Sequence, residues 1–137
     1  MATTTATITL SSSDMMDNNI SISNTATLTN QGNDTGMTKT TGLTRVTLAA
    51  GSNVVLIDSG ATTRLNTINK GKMFIQNLND RDDGTKYVTV LLQAVEIGRL
   101  YGGDWAFFPW EGGAGNDIEL TPNDATSTDL EYIAFYE

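Results

Sequence analysis

Hydrophobic residues along the chain recur at every second position or in short runs, and no window of helix length places them at i, i+3, i+4 and i+7. Successive side chains of a strand point to opposite faces, so this period predicts strands and turns. Thr5-Ala6-Thr7-Ile8-Thr9-Leu10 alternates strictly, Ser11 to Asn19 is a polar loop, and Ile20-Ser21-Ile22 opens a second alternating run that continues weakly through Ala26 and Leu28. From Asn30 to Gly42 the chain is Gly, Asn, Asp and Thr with little to bury, the composition of a linker. A soft boundary therefore falls here. Residues 1–42 read as an extended Thr/Ser/Asn-rich N-terminal arm and linker, and residues 43–137 as the main domain.

In that domain Leu43 to Leu48, a turn at Ala50-Gly51-Ser52-Asn53, and Val54 to Ile57 predict a hairpin. Lys72 to Leu78 and Tyr87 to Leu92 flank the polar run Asn79 to Thr85, whose Asp83-Gly84 predicts an antiparallel connection. The region around Leu65 and Ile68 is ambiguous. Further strands are expected at Val95–Leu100, Trp105–Phe108, Ile118–Thr121 and Leu130–Tyr136. Short strands at this spacing predict an all-β fold, a β-sandwich, with a jelly roll as one specific form.

Composition narrows the chemistry. With 137 residues the chain has the size of one domain, and its hydrophobic share of 39% is low enough that part of it is expected to lie outside a compact core or against partners. It has no Cys and no His. That removes disulfides, thiolate nucleophiles, the commonest general base and the commonest transition-metal ligand, and with them the Ser-His-Asp and Cys-His arrangements. No catalytic residue, metal site or cofactor is expected. The net charge is −8, all basic residues lie between Lys39 and Arg99, and none of them cluster. Phosphate backbones and anionic membranes require a basic footprint, so neither nucleic acid nor membrane is an expected partner. The start, Met1-Ala2-Thr3-Thr4-Thr5, lacks the charged and apolar regions of a secretory signal, which predicts a soluble product made in a cytoplasm. The sequon Asn33-Asp34-Thr35 then reads as chance.

Three stretches are candidate sites. Asn79-Asp80-Arg81-Asp82-Asp83-Gly84 is dense in carboxylates, but Arg81 and Val90 fall where a calcium loop needs ligands, so it reads as a solvated turn. The acids Asp104, Glu111, Asp117, Glu119, Glu131 and Glu137 include the carboxylates a glycosidase pair would need, yet Glu119 and Glu131 alternate with apolar neighbours as outward strand residues do. Gly103-Asp104-Trp105-Ala106-Phe107-Phe108-Pro109-Trp110-Glu111-Gly112 is the most distinctive. It resembles the second cupin motif in the spacing of Gly103 and Pro109, with Gly112 displaced by one residue and the metal-binding His missing. The resemblance implies a jelly-roll-like turn and no metal chemistry. Within a strand, Trp105 and Phe107 share one face while Phe108 and Trp110 share the other. Only one face can be the core, so the other pair, with Tyr101 just before the stretch, is expected either to be covered by a loop or the N-terminal arm or to be exposed as an interface anchor, with a sugar-stacking platform as a further reading. Ile8, Leu10, Ile20 and Ile22 are the expected anchors of the arm.

Lys72-Met73-Phe74-Ile75-Gln76-Asn77-Leu78, Tyr87-Val88-Thr89-Val90, Arg99 to Trp110 and the terminal Leu130-Glu131-Tyr132-Ile133-Ala134-Phe135-Tyr136-Glu137 together resemble small virion structural proteins of tailed bacteriophages, particularly those infecting marine cyanobacteria. The resemblance covers about residues 43–137 and lies in style and order of elements. It implies a non-enzymatic capsid decoration or cement protein, located in the virion and often a homotrimer, whose partners are its own copies, the major capsid protein or other virion proteins. A tail-associated receptor or glycan-binding module is the alternative.

Overall fold

The computed structural model describes residues 4–14, 19–29, 36–58, 71–113, 115–123 and 126–136. Leu65, Ile68 and the Asn33-Asp34-Thr35 sequon lie outside them. Among the described residues there is no helix, so none is long and apolar enough to cross a membrane. The fold is all-β, and its contacts divide the chain into two units, Met1–Thr38 and Lys39–Glu137.

The first unit is a ribbon of two antiparallel strands, β1 (Thr5–Ser12) and β2 (Ile20–Thr27), in register from Thr5 opposite Thr27 to Ser12 opposite Ile20. Strict alternation sorts its side chains. Ala6, Ile8, Leu10, Ile20, Ile22 and Ala26 fall on one face together with Ser12 and Asn24, and the Thr residues with Ser11, Ser21 and Ser23 fall on the other. Hydroxyls pair across that second face, with Thr7 Oγ1 2.8 Å from Thr25 Oγ1 and Thr9 Oγ1 3.3 Å from Ser23 Oγ. The segment expected as an extended arm thus pairs its two strands with each other.

The second unit is a β-sandwich. One sheet contains β3 (Lys39–Thr40), β4 (Thr44–Leu48), β6 (Gly71–Asn77), β9 (Trp105–Trp110) and β11 (Thr128–Tyr136). In it β6 lies between β9 and β11, and both β3 and β4 pair with β11. Thr41 keeps the short break between them tied to that strand, donating its N–H to Ala134 O and accepting the Ala134 N–H on its hydroxyl. The other sheet runs β5 (Val54–Ile57), β10 (Ile118–Pro122), β7 (Val88–Leu92), β8 (Val95–Leu100). All pairings are antiparallel.

Period-two burial builds one core from both sheets. Leu48, Met73, Ile75, Trp110, Leu130, Ala134 and Tyr136 come from the first, and Ile57, Val88, Val90, Leu100, Ile118 and Leu120 from the second. Each fully buried aliphatic side chain contributes about 1.5–3 kcal/mol over leaving it in water. Glu119, between buried Ile118 and Leu120, and Glu131, between buried Leu130 and partly buried Tyr132, point outward as expected.

Two expected hairpins are not hairpins. Leu43–Leu48 and Val54–Ile57 belong to different sheets, β4 bonding to β11 and β5 to β10. Asn79 to Thr85 likewise carries the chain from one sheet to the other, because both edges of β6 are taken by β9 and β11, and both edges of β7 by β8 and β10. A polar turn announces that the chain reverses, but not whose edge it meets next. The consecutive strands β7 and β8 do form a hairpin, through Gln93 (φ 51°) and Ala94 (φ 59°). Left-handed residues at both turn positions match a primed two-residue turn, although neither is the Asn or Gly such a turn favours.

The crossing between sheets is held by Asn77, which is fully buried at the end of β6. Its Nδ2 donates to Lys86 O at 2.8 Å and to Leu100 O at 3.0 Å, just ahead of β7 and at the end of β8. Its Oδ1 accepts from Asn79 N at 3.0 Å and Asn79 Nδ2 at 2.7 Å. Its backbone N–H donates to Asp104 O and its carbonyl accepts from Gly103 N. The full donor and acceptor capacity of the side chain is used. Nearby, a Cβ on Gly102 would sit 2.0 Å from Asp80 O, so only glycine lets the Tyr101–Asp104 turn approach that backbone.

Two outcomes follow, both readable by thermal or denaturant unfolding. Asn77→Ala strands the carbonyls of Lys86 and Leu100 and the Asn79 N–H, and should destabilise by about 3 kcal/mol or more. Gly102→Ala should cost a similar amount, about 3 kcal/mol, through backbone displacement alone.

Candidate functional site

Edge strand β9 decides which aromatic pair faces the core. Its register with β6 sets Met73 opposite Phe108 and Gly71 opposite Trp110, while Phe74 lies opposite Phe107 and Gln76 opposite Trp105. Directly opposed residues share a face. Met73 is buried in the core, so Phe108 and Trp110 point inward, and Trp110 Nε1 donates to Asn116 O at 2.9 Å. These two members of the expected interface set are thereby taken up by the core. Trp105 and Phe107 lie on the outer face.

They have company there that alternation alone did not single out. The register of β11 with β6 places Ile133 opposite Phe74, Phe135 opposite Lys72 and Glu131 opposite Gln76. The outer face therefore consists of three cross-strand rows: Pro109, Lys72 and Phe135; Phe107, Phe74 and Ile133; Trp105, Gln76 and Glu131. Trp105 is 48% exposed and its ring centroid lies 6.3 Å from that of Phe74. Phe74, Phe107, Ile133 and Phe135 are half-buried. Glu131 accepts from Arg45 Nε at 2.7 Å, and Asp129 accepts from the Thr47 hydroxyl at 2.5 Å.

The outer face of the other sheet differs. There Glu119 accepts from Asn53 Nδ2 at 2.7 Å, Arg99 lies 3.7 Å from Glu96, and Thr89 and Thr121 are cross-strand partners. Tyr101 is exposed beside this sheet, its ring 5.4 Å from that of Tyr87, over which the Arg99 guanidinium sits at 4.9 Å. Tyr101 is thus separate from the Trp105 face.

On the ribbon, Ile8, Leu10, Ile20 and Ile22 share one face as the alternation required. Leu10 and Ile22, directly opposite each other, are each 55% exposed.

The acidic stretch Asn79 to Gly84 is a network of turns. Asp80 Oδ1 accepts from Asp82 N, and Asp83 Oδ1 accepts from Thr85 N at 3.1 Å and Thr85 Oγ1 at 2.6 Å. The side-chain and backbone hydrogen bonds from Thr85, aided by the charge of Lys86, hold the Asp83 carboxyl below its ordinary value. Arg81 reaches Asp104 at 3.6 Å. Among the described residues no three acids gather closely enough to hold a metal ion. A cavity of about 220 Å³ lies between Leu92, Gln93, Pro109, Trp110, Glu111 and Asn116, below the usual range for small-molecule pockets. Two of its amides are bonded to each other, Gln93 donating to Asn116 Oδ1.

No protein-family model matches the chain, and no curated protein matches it either. Among the described residues the two largest groupings of apolar side chains on one outer face are aliphatic on the ribbon and aromatic on the five-stranded sheet.

Because the Asp83 carboxyl titrates below its unfolded value, the stability it lends the turn is present above the unfolded pKa and is lost as pH falls through the folded one. Thr85→Val removes the hydroxyl donor, so an NMR titration should show the Asp83 pKa rising toward the ordinary carboxylate value while the backbone bond persists.

Proposed function

We propose that the chain is a non-enzymatic structural component of a tailed-phage virion, a capsid decoration or cement protein that works as a homo-oligomer through contacts between its sheet surfaces and those of neighbouring chains. The observation that carries this reading is the outer face of β9, β6 and β11, where Trp105 stays half-exposed among Phe74, Phe107, Ile133 and Phe135. A contiguous apolar surface rimmed by polar residues is what protein partners bury.

The strand order supports the same reading. Numbering the sandwich strands consecutively from β4 to β11 gives 1-8-3-6 in one sheet, with β3 as an extension beside the first strand, and 2-7-4-5 in the other. Two Greek keys wound together as a jelly roll generate this order, an architecture found in capsid and lectin domains. Fold alone assigns no function, so the weight rests on the surface. The ribbon adds to it: a lone two-stranded ribbon is marginal in water, and a covering partner chain would stabilise it. Since β1 and β2 already bond to each other, the ribbon offers a partner its aliphatic face and its two outer edges. Repeated over many copies, weak contacts of this kind become strong attachment.

A second reading, a tail-associated glycan-binding module, is favoured by one feature: Trp105 and Phe74 present neighbouring rings on which a sugar can stack. A glycan array probed with the full chain and with Trp105→Ala separates the readings, because the structural role expects no glycan signal.

The decisive measurement is particle association. The full chain should co-sediment with virions and appear in cryo-EM maps of their surface, and deletion of residues 2–29 should abolish attachment while residues 39–137 stay folded by circular dichroism. Undiminished attachment without those residues would overturn the role given to the ribbon, and absence of the full chain from particles would overturn the assignment itself.

A further inference from the structure

Asp83-Gly84 is the one Asp-Gly pair in the chain, and the chain has no Asn-Gly. Such a pair is chemically vulnerable, because a glycine amide has no side chain to shield it from the carboxyl beside it. In the damaging reaction the Gly84 nitrogen attacks the Asp83 side-chain carboxyl carbon. A C–N bond closes a five-membered imide, and the carboxyl oxygen leaves as water with its own proton and the amide proton. One water then reopens the ring at either carbonyl, giving back aspartate or giving isoaspartate, so no atom is gained or lost overall. Only the protonated carboxyl reacts in this way, since an ionised one would have to expel an oxide ion.

Nothing around Gly84 blocks the reaction sterically. The residue is exposed, and a Cβ built on it meets nothing within 4 Å. The Asp83 carboxylate, by contrast, is held. Its Oδ1 accepts from Thr85 N at 3.1 Å and from Thr85 Oγ1 at 2.6 Å, and its Oδ2 lies 3.9 Å from Lys86 Nζ. An ionised carboxylate can accept from all of these donors, whereas protonation spends one acceptor position on a proton, so the contacts favour the unreactive form. We infer that Thr85 guards the Asp83-Gly84 bond against isomerisation to isoaspartate by pinning the Asp83 carboxylate with its hydroxyl and its amide. It acts as a positioning residue on the group that would react. What it protects is the crossing between the sheets. Isomerisation would route the backbone through the Asp83 side chain and lengthen it by one methylene. It would also turn the Asp83 carbonyl, which accepts the Lys86 N–H at 3.1 Å, into a free carboxylate. Lys86 is the residue whose own carbonyl Asn77 holds.

The test ages the full chain for weeks at neutral pH beside a synthetic peptide of residues 79–87, in which the turn is not held by the fold. Isoaspartate is counted by isoaspartyl methyltransferase labelling and located by peptide mapping, with circular dichroism confirming the fold of each variant. Wild type should form isoaspartate at position 83 about tenfold more slowly than the peptide, and Thr85→Val should raise the rate about three- to tenfold, in proportion to the protonated fraction it restores. Thr85→Ser keeps both donors and should stay at the wild-type rate, a rescue that a merely space-filling role for Thr85 would not give. Adding Gly84→Ala to Thr85→Val should bring the rate back down, because the new methyl group crowds the attacking nitrogen at a position with room for it. Wild type ageing as fast as the peptide, a folded Thr85→Val no faster than wild type, Thr85→Ser as fast as Thr85→Val, or isoaspartate in Thr85→Val arising elsewhere than at Asp83 would each overturn the inference.

Discussion

The position of one sheet over the other depends on buried polar bonds, chiefly those of one amide. Two sheets packed face to face share a hydrophobic core that does not by itself hold the strands at one relative position. The Trp110 indole, bonded to Asn116 O ahead of β10, ties the sheets at one point, and Asn77 ties them at another with its whole side chain. From the end of β6 it bonds to the carbonyls of Lys86 and Leu100 at the corresponding end of the opposite sheet, and its own backbone receives the Tyr101–Asp104 turn that leads into β9. Three chain segments therefore converge on one side chain whose every polar atom is engaged. A buried amide so placed is costly to leave unmatched, which penalises any registry of the sheets in which these partners are not aligned. The close approach at Gly102 belongs to the same junction, because it lets the turn come near enough for the bonds to form.

Fixing that junction also fixes what the outside of the molecule presents. The turn delivers β9 to the edge of β6 in the register that sends Trp110 and Phe108 inward. Once those rings fill the core, Trp105 and Phe107 can only face outward, beside Phe74 and within one strand of Ile133 and Phe135. The aromatic surface is thus a direct consequence of how the core is closed, and any partner for it meets a rigid sheet and no loop. The ribbon is the opposite kind of element, with little to bury on one face and hydroxyls on the other.

Much of this was legible in the sequence. The all-β class, nearly every strand of the sandwich and the two-sided division of the Trp105–Trp110 stretch follow from period-two alternation, which is a local signal. Pairing is not local, and there the reading failed: the segments around Gly51 and Gly84 have the turn chemistry of hairpins, yet they cross between sheets because the available edges are claimed by strands far away in the chain. The aromatic face was half visible for a related reason. Lys72-Met73-Phe74-Ile75-Gln76 is apolar on both sides, so its pattern could not tell core from surface, and only register with β9 and β11 joins Phe74 to Trp105, Ile133 and Phe135. Asn77 stood out merely as a strand end, since a polar residue before a turn is commonplace and its partners lie in other segments. The Gln93-Ala94 turn carried no signal, lacking the Asn or Gly that marks such turns.

Pro109 shapes the manner in which this protein can grow into something larger. An imino nitrogen on the edge strand β9 withholds one rung from any incoming strand, so the sheet resists being lengthened on that side. The flat of the sheet carries no such block, and a face covered once by a partner has nothing left to recruit. Assembly by stacking is self-terminating in a way that assembly by edge extension is not, which favours discrete complexes over fibres.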